Sequence, residues 1–448
     1  MKAFITFCRI IAGSTFIVSG LVKANDALGF SYKLEEYFSE KALGMEYMMD
    51  YVLPLSVFIV IGEILLGVAT LLGALPKLTS SLLFGLTLFF AWLTFYTATC
   101  DPYTRQEFKS ADGKTYMDLP ECVTSCGCFG DALKLTPWES FTKDIVLMVF
   151  VIPVFFAAWR KKISLNTMRE DVFIGVVSFL LILFLGWKIF DWVFPAFFAA
   201  VSIAVAMGIK KIAPARYVEW AMALGVLVVC GIFQWWTLHY LPIKDYRAYA
   251  IGENLIENMK TAEEVGKEPP KFLTFYTLKN ASTGETKEVD SDTYLTERLW
   301  EDTAWEIQKE FTYSKKVKEG YEPKIADFTA LDFDGNELKD SLMSIPRLFL
   351  VLTYDLAHTD TRHMAELKAF TDAAMADGAV VFGMTTAGYD DCENLRHEFQ
   401  LAFPYIQGDE KVLKTMIRAN PGIMLLENGV VKGKWNASHL PPYPEIKQ

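Results

Sequence analysis

Long basic stretches are missing from this sequence. Its 43 Lys and Arg are outnumbered by 54 Asp and Glu, for a net charge of -11, and they form no arm or patch of the kind that tracks a phosphate backbone. Nucleic acid is therefore not an expected partner. Histidine is scarce: His239, His358, His363, His397 and His439 show no metal-ligand spacing, so no metal site is expected. The seven cysteines contain no C-x-x-C pair, the usual hook of a zinc site and of a dithiol redox centre. No internal repeat or broken helix is visible, which argues against a transporter built from paired halves.

What is abundant is apolar surface. Hydrophobic side chains make up 52% of the chain and aromatics 14%, too apolar for an ordinary soluble protein, and 448 residues exceed one domain. The average conceals two halves that meet near Leu241 and Pro242. A membrane span needs about 20 mainly apolar residues. Seven segments qualify: Phe4 to Val22, Val52 to Leu72, Ser80 to Thr99, Phe141 to Trp159, Val172 to Phe190, Val193 to Ile209 and Val218 to Tyr240. The first reads as an uncleaved helix because further spans follow it. The fifth and sixth meet at Asp191-Trp192 and are expected to form a tight hairpin.

Lys and Arg in short loops resist translocation and so set orientation. Lys77, the group Arg160, Lys161, Lys162 and Arg169, and the group Lys210, Lys211 and Arg216 all fall on one side of a seven-span chain. The expectation is a bacterial inner-membrane protein with a cytoplasmic N-terminus and everything after Tyr240 in the periplasm.

In the second half, Lys271 to Thr277 and Glu285 to Val289 read as a β-hairpin, and Thr293 to Lys318 as charged helix. Asp332 to Leu338 reads as a strand pair turning at Asp334-Gly335. There follow a buried strand Leu348 to Thr353, a helix Arg362 to Ala376, a strand Ala379 to Thr385, a helix Asp391 to Leu401, and a hairpin led by Pro421 and turning at Asn428-Gly429.

Four cysteines, Cys100, Cys122, Cys126 and Cys128, share the loop between the third and fourth spans. Outside the membrane they favour disulfides. A Cys126–Cys128 bond would close a very small ring around Gly127, and strained disulfides are the easily reduced ones. Three readings stand open: redox-active thiols, structural staples, or a four-thiolate metal site with poor spacing. Sequence does not separate the three possible pairings. Thr136, Pro137 and Glu139 form a helix-start signal that positions this loop at the membrane surface. Cys8, Cys230 and Cys392 read as packed thiols.

Ionisable residues in or next to spans are costly and point to function. Arg9 and Glu63 lie at similar depths, which allows them to pair. Lys23 and Asp144 sit at helix ends near the cysteine loop, suited to bias its thiols or relay protons; helix locking is the plainer role for the set.

The membrane half resembles the MauE/DoxX family. The matching residues are Arg9, Phe16-Ile-Val-Ser-Gly-Leu-Val-Lys23, Asp26, Lys33-Leu-Glu-Glu-Tyr-Phe38, Gly62-Glu63, Gly67, Cys126-Gly-Cys-Phe-Gly-Asp131, Thr136-Pro-Trp138 and Lys143-Asp144. The resemblance implies a four-helix core over about the first 160 residues, exterior thiol/disulfide chemistry and a quinone as a possible electron acceptor; methylamine metabolism comes with it only as a family label. From about Asp327 the chain resembles the thioredoxin superfamily, with Asn420-Pro421 at the cis-proline position. Where that family carries its dithiol, this chain reads Tyr354-Asp-Leu-Ala-His-Thr-Asp360. Tyr354, Asp355, His358 and Pro421 are then candidates for binding an extended partner.

The expected architecture is an α-helical polytopic membrane bundle plus a C-terminal α/β thioredoxin-like exterior domain. Its parts are residues 1–160, a four-helix domain; 161–241, three added spans; 242–320, a hairpin and helical connector; and 321–448, the thioredoxin-like domain. The expected function is thiol/disulfide exchange with an exterior protein client, with Cys126, Cys128, Cys100 and Cys122 as the reacting groups. A non-catalytic scaffold for an envelope or secretion complex is the alternative. Membrane lipid is the remaining expected partner.

Overall fold

A computed structural model describes residues 2–109, 114–123, 127 and 129–446. The first half is a bundle of α1 (Lys2–Asn25), α2 (Ala27–Phe38), α3 (Val52–Leu72), α4 (Pro76–Thr99), a β1–β2 hairpin (Gln106–Lys109 and Thr115–Asp118), α5 (Pro137–Trp159), α6 (Met168–Ile189), α7 (Phe194–Ile212) and α8 (Val218–His239). Seven of these helices, all but α2, are long and apolar enough to cross a membrane. In hydrocarbon only a helix of this kind satisfies its own backbone. Their outward faces are apolar, with Phe58, Val149 and Phe173 more than half exposed, as contact with lipid requires.

Small residues set the bundle's geometry. A Cβ on Gly13 would lie 2.9 Å from the Gly67 carbonyl oxygen, and one on Gly67 would lie 2.7 Å from that of Gly13. Without side chains there, α1 and α3 approach backbone to backbone. The helix-start signal before α5 forms as expected: Thr136 accepts from the Glu139 amide, and Glu139 accepts from the Thr136 amide. The same box recurs with Thr167 and Glu170 at α6.

The second half begins with the short α9 (Leu255–Met259) and a sheet in which β3 (Lys271–Asn280) pairs with β4 (Thr286–Asp290), β5 (Trp305–Ile307) and β6 (Tyr313–Lys318), all antiparallel. The helical reading of Thr293 to Lys318 fails there: only α10 (Ser291–Thr296) is α-helical. The long β3 offers backbone partners on both edges, and Tyr313 stacks on Phe275 at 5.4 Å, so tertiary pairing overrides local propensity.

After α11 (Lys339–Met343), a five-stranded sheet runs in the order β11-β10-β7-β8-β9, built from β7 (Leu348–Thr353), β8 (Val380–Thr385), β9 (Tyr405–Gln407), β10 (Gly422–Glu427) and β11 (Val430–Asn436). Strands β7, β8 and β9 are parallel, and β10 runs against both β7 and β11. The helices are α12 (Met364–Ala376), α13 (Tyr389–Phe399), α14 (Glu410–Met416) and the terminal α15 (Tyr443–Ile446). All six residues of β7 are buried, because Leu348, Leu350 and Leu352 face α11 and α14 while Phe349 and Val351 face α12 and α13. A strand covered on both sides reads as an unbroken apolar run. The strand pair expected at Asp332 to Leu338 reduces to isolated bridges from Leu331 to Glu337 and Gln407, around a turn with Gly335 at φ 86°.

Candidate functional site

The two halves meet over α2, which the run of charges between the first two spans concealed. Asp26 caps α2 by accepting the Gly29 amide at 2.9 Å. The same carboxylate accepts the Arg418 Nε at 2.9 and 3.0 Å. Glycine is required at 29, since a Cβ there would lie 2.4 Å from Asp26 Oδ2 and 2.7 Å from Arg418 Nη2. Burial alone would raise the Asp26 carboxyl, but Arg418 and Arg247 outweigh it and hold the group below its ordinary value. Arg418 is itself buried and lies 3.7 Å from Asp131, in the cysteine loop.

Around this clamp, Lys414 and Arg418 lie over the Tyr32 ring at 4.6 and 5.3 Å. The Tyr32 hydroxyl donates to that of Tyr354 at 3.1 Å. The Asn420–Pro421 bond is cis and Pro421 is buried. Asn420 joins the segment after β7 by donating its side-chain amide to the Asp355 carbonyl at 2.5 Å and accepting the Asp360 amide at 3.0 Å. His358 is exposed and its Nδ1 lies 2.8 Å from Asp355. The four candidate partner-binding residues thus divide. Tyr354 is engaged by α2, Pro421 is covered, and Asp355 and His358 remain at the surface.

Cys100 and Cys122 are joined in a disulfide with a Cα separation of 5.7 Å, which settles one pairing. Cys126 and Cys128 lie outside the described residues. Gly127 between them has φ 66°, and a Cβ there would lie 3.2 Å from Lys33 Cγ of α2. Phe129 packs on Phe190 at 5.3 Å, with Lys143 5.2 Å from its ring centroid. A cleft of about 750 Å³ results, walled by α2, by Gly127 and Phe129 to Pro137 of the loop, and by Lys411, Lys414 and Arg418 of the C-terminal region.

Beneath Phe129 lies a polar cluster within the bundle. Lys23 and Glu63 form an ion pair with both side chains 1% exposed. Asp144 is bonded to Lys143 at 2.7 Å and accepts the Thr94 hydroxyl at 3.0 Å. Glu63 Oε2 is buried with no hydrogen-bond partner among the described residues. A cavity of about 20 Å³ touching Lys23, Glu63, Thr87, Asp144 and Phe129 is roomy enough for a water. Phe129 lines both this cavity and the outer cleft.

The expected Arg9–Glu63 pair does not form. Arg9 instead gives Nε to the Thr70 carbonyl and Nη2 to the Leu71 carbonyl and the Asn166 Oδ1, all at 2.9 Å. The last carbonyls of α3 have no partner within the helix, and a cation is favoured there. Gly20 lets α1 and α3 lie close beside the Lys23–Glu63 pair: a Cβ on Gly20 would lie 3.0 Å from both the Val60 carbonyl oxygen and Glu63 Cβ. Cys8, Cys230 and Cys392 are buried free thiols. Burial pushes the Cys392 thiol up to about 11, which makes it a poor nucleophile.

Sequence reading missed Arg418, Lys414 and Tyr32 as site residues. A signal existed for the first: an arginine three residues before a proline already placed beside the segment after β7.

Residues 1–101 match the family model for Methylamine utilisation protein MauE. The match spans α1 to α4 and ends just past Cys100, so it includes Lys23, Asp26 and Glu63 but not the Cys122–Asp131 stretch, and it covers under a quarter of the chain. No curated protein matches the chain. The matched region and the seven apolar helices mark a membrane protein.

Proposed function

We propose that this chain is a thiol/disulfide oxidoreductase of a bacterial inner membrane, or the redox subunit of one, whose exchange centre is the loop carrying Cys100, Cys122, Cys126 and Cys128. The carrying observation is the cleft of about 750 Å³ between that loop, α2 and the C-terminal region. The loop is held on one side by Lys33 at Gly127 and on the other by Arg418 at Asp131.

In this reading the C-terminal region is a thioredoxin-like domain with an emptied dithiol position, facing the periplasm. Its parallel β7-β8-β9 order, antiparallel β10 and cis Asn420–Pro421 bond support the assignment. It serves as a roof that selects the client. A client thiolate attacks a loop disulfide, a mixed disulfide forms, and the second client thiolate resolves it, leaving the client oxidised and the loop reduced by two electrons. A membrane quinone, when bound, would supply the acceptor for those two electrons and two protons. Lys23, Glu63 and Asp144, which line one small cavity with Phe129, would pass the protons in this reading.

The test is trapping. In the full chain, Cys126→Ser and Cys128→Ser are made singly, and mixed disulfides are sought after thiols are blocked. The expectation is a covalent client adduct in one single variant and none in the double. Absence of adducts in both, with the double variant fully active, overturns the reading. It favours instead a scaffold, which the missing thiols between Tyr354 and Asp360 also fit.

A further inference from the structure

A second amphipathic feature lies at the end of the bundle remote from the cleft. A groove of about 490 Å³ runs between the first turns of α1 and α6. One end is polar, with Arg9, Asn166 and Glu170, and the rest is lined by Phe7, Ile10, Phe173 and Val177. Phe7 and Phe173 are 52% and 62% exposed, so the groove opens towards lipid, while Arg9 at its floor is 7% exposed.

Among the described residues, Arg9 is bonded to uncharged oxygens: two carbonyls and the Asn166 side chain. Glu170 and Asp171 act on Arg9 through their charge but neither contacts its guanidinium. Asp171 pairs with Lys210, and Glu170 accepts from the Thr167 amide and hydroxyl at 2.7 and 3.0 Å. A nearly buried guanidinium without a carboxylate in salt-bridge contact is costly, and an anion from outside the protein offsets that cost. Because Arg9 is bonded to the final carbonyls of α3, it stands where that helix ends, at the boundary between hydrocarbon and headgroups. Lys161, Arg169 and Lys211, exposed just beyond or within the terminal turns of α5, α6 and α7, lie at the same end of the bundle and draw anionic headgroups to it.

We infer that this groove binds one phospholipid, its phosphodiester against Arg9 and an acyl chain between Phe7 and Ile10 of α1 and Phe173 and Val177 of α6. Guanidinium recognises phosphate by charge-assisted hydrogen bonds, and the apolar walls take the chain.

The full-length protein, stripped of lipid and offered phosphatidylglycerol or diacylglycerol with the same chains, is examined by native mass spectrometry. One phosphatidylglycerol is retained after other lipids are removed, and diacylglycerol is held about tenfold less or weaker, as loss of a charge-assisted contact implies. Val177→Trp, which fills the groove and leaves the bonds of Arg9 in place, abolishes retention, and Arg9→Gln removes the preference for phosphate. Equal retention of the two lipids, or undiminished retention in Val177→Trp, overturns the inference.

Discussion

Arg418 and Asp26 lie 392 residues apart and meet at 2.9 Å, joining the segment before the cis proline to the cap of α2. Asp26 stands directly between the first span and α2, so this contact helps couple the C-terminal region to the bundle, beside the Tyr32–Tyr354 bond. Replacing either partner leaves a largely buried charge without its nearest counter-charge. Arg418→Met and Asp26→Asn are each expected to destabilise the folded chain by about 3 kcal/mol. The double variant is expected to lose less than the sum, by roughly 1–3 kcal/mol. Thermal unfolding of the four proteins in detergent measures this, and strict additivity would remove the clamp from the account.

Gly29→Ala is expected to act like a clamp variant although it removes no charge. Its Cβ would enter the space between Asp26 and Arg418, so the carboxylate and guanidinium must separate. Hydrogen exchange across α2 should rise to the level seen in Arg418→Met, and wild-type protection would contradict the crowding argument.

The clamp has a defined pH response. Arg418 and Arg247 hold the Asp26 carboxyl below its ordinary value. The native state therefore binds its proton later than the unfolded chain does as pH falls. The stabilisation is fully present above the unfolded value of about 3.9 and is lost as pH falls through the lower native value. Protection of α2 should persist at pH 5, fall below about pH 4, and show no such step attributable to residue 26 in Asp26→Asn. A loss centred well above pH 5 would point to another group.

The Lys23–Glu63 pair separates a structural from a functional role. Removing one partner strands a charge in the bundle, so Lys23→Met or Glu63→Gln is expected to cost about 3–5 kcal/mol, whereas Lys23→Met with Glu63→Leu restores most of that stability. If the pair passes protons, the double variant folds but does not return its cysteines to the oxidised state. A folded and fully active double variant would leave the pair as a helix lock.

What could be read in advance followed from how each feature is encoded. The seven spans, the Thr136 helix start and the buried β7 strand were legible because each rests on local composition: apolar length, a four-residue cap, an unbroken apolar run. Thr293 to Lys318 was misread because its strands exist only through pairing with β3. Arg9 and Glu63 were matched by depth along their helices, but side-chain direction decides partners: Glu63 pairs with Lys23, and Arg9 reaches the final carbonyls of α3. The Arg418–Asp26 contact joins opposite ends of the sequence, and no local pattern encodes it.

Turnover of the cysteine loop with a membrane acceptor is open to thiol trapping in intact cells. Free thiols are blocked, the chain is digested, and the states of Cys100, Cys122, Cys126 and Cys128 are read by mass spectrometry with the quinone pool oxidised and then reduced. At least the Cys126 and Cys128 pair is expected to move towards the thiol form when the pool is reduced. Four cysteines locked in one state under both conditions would contradict it.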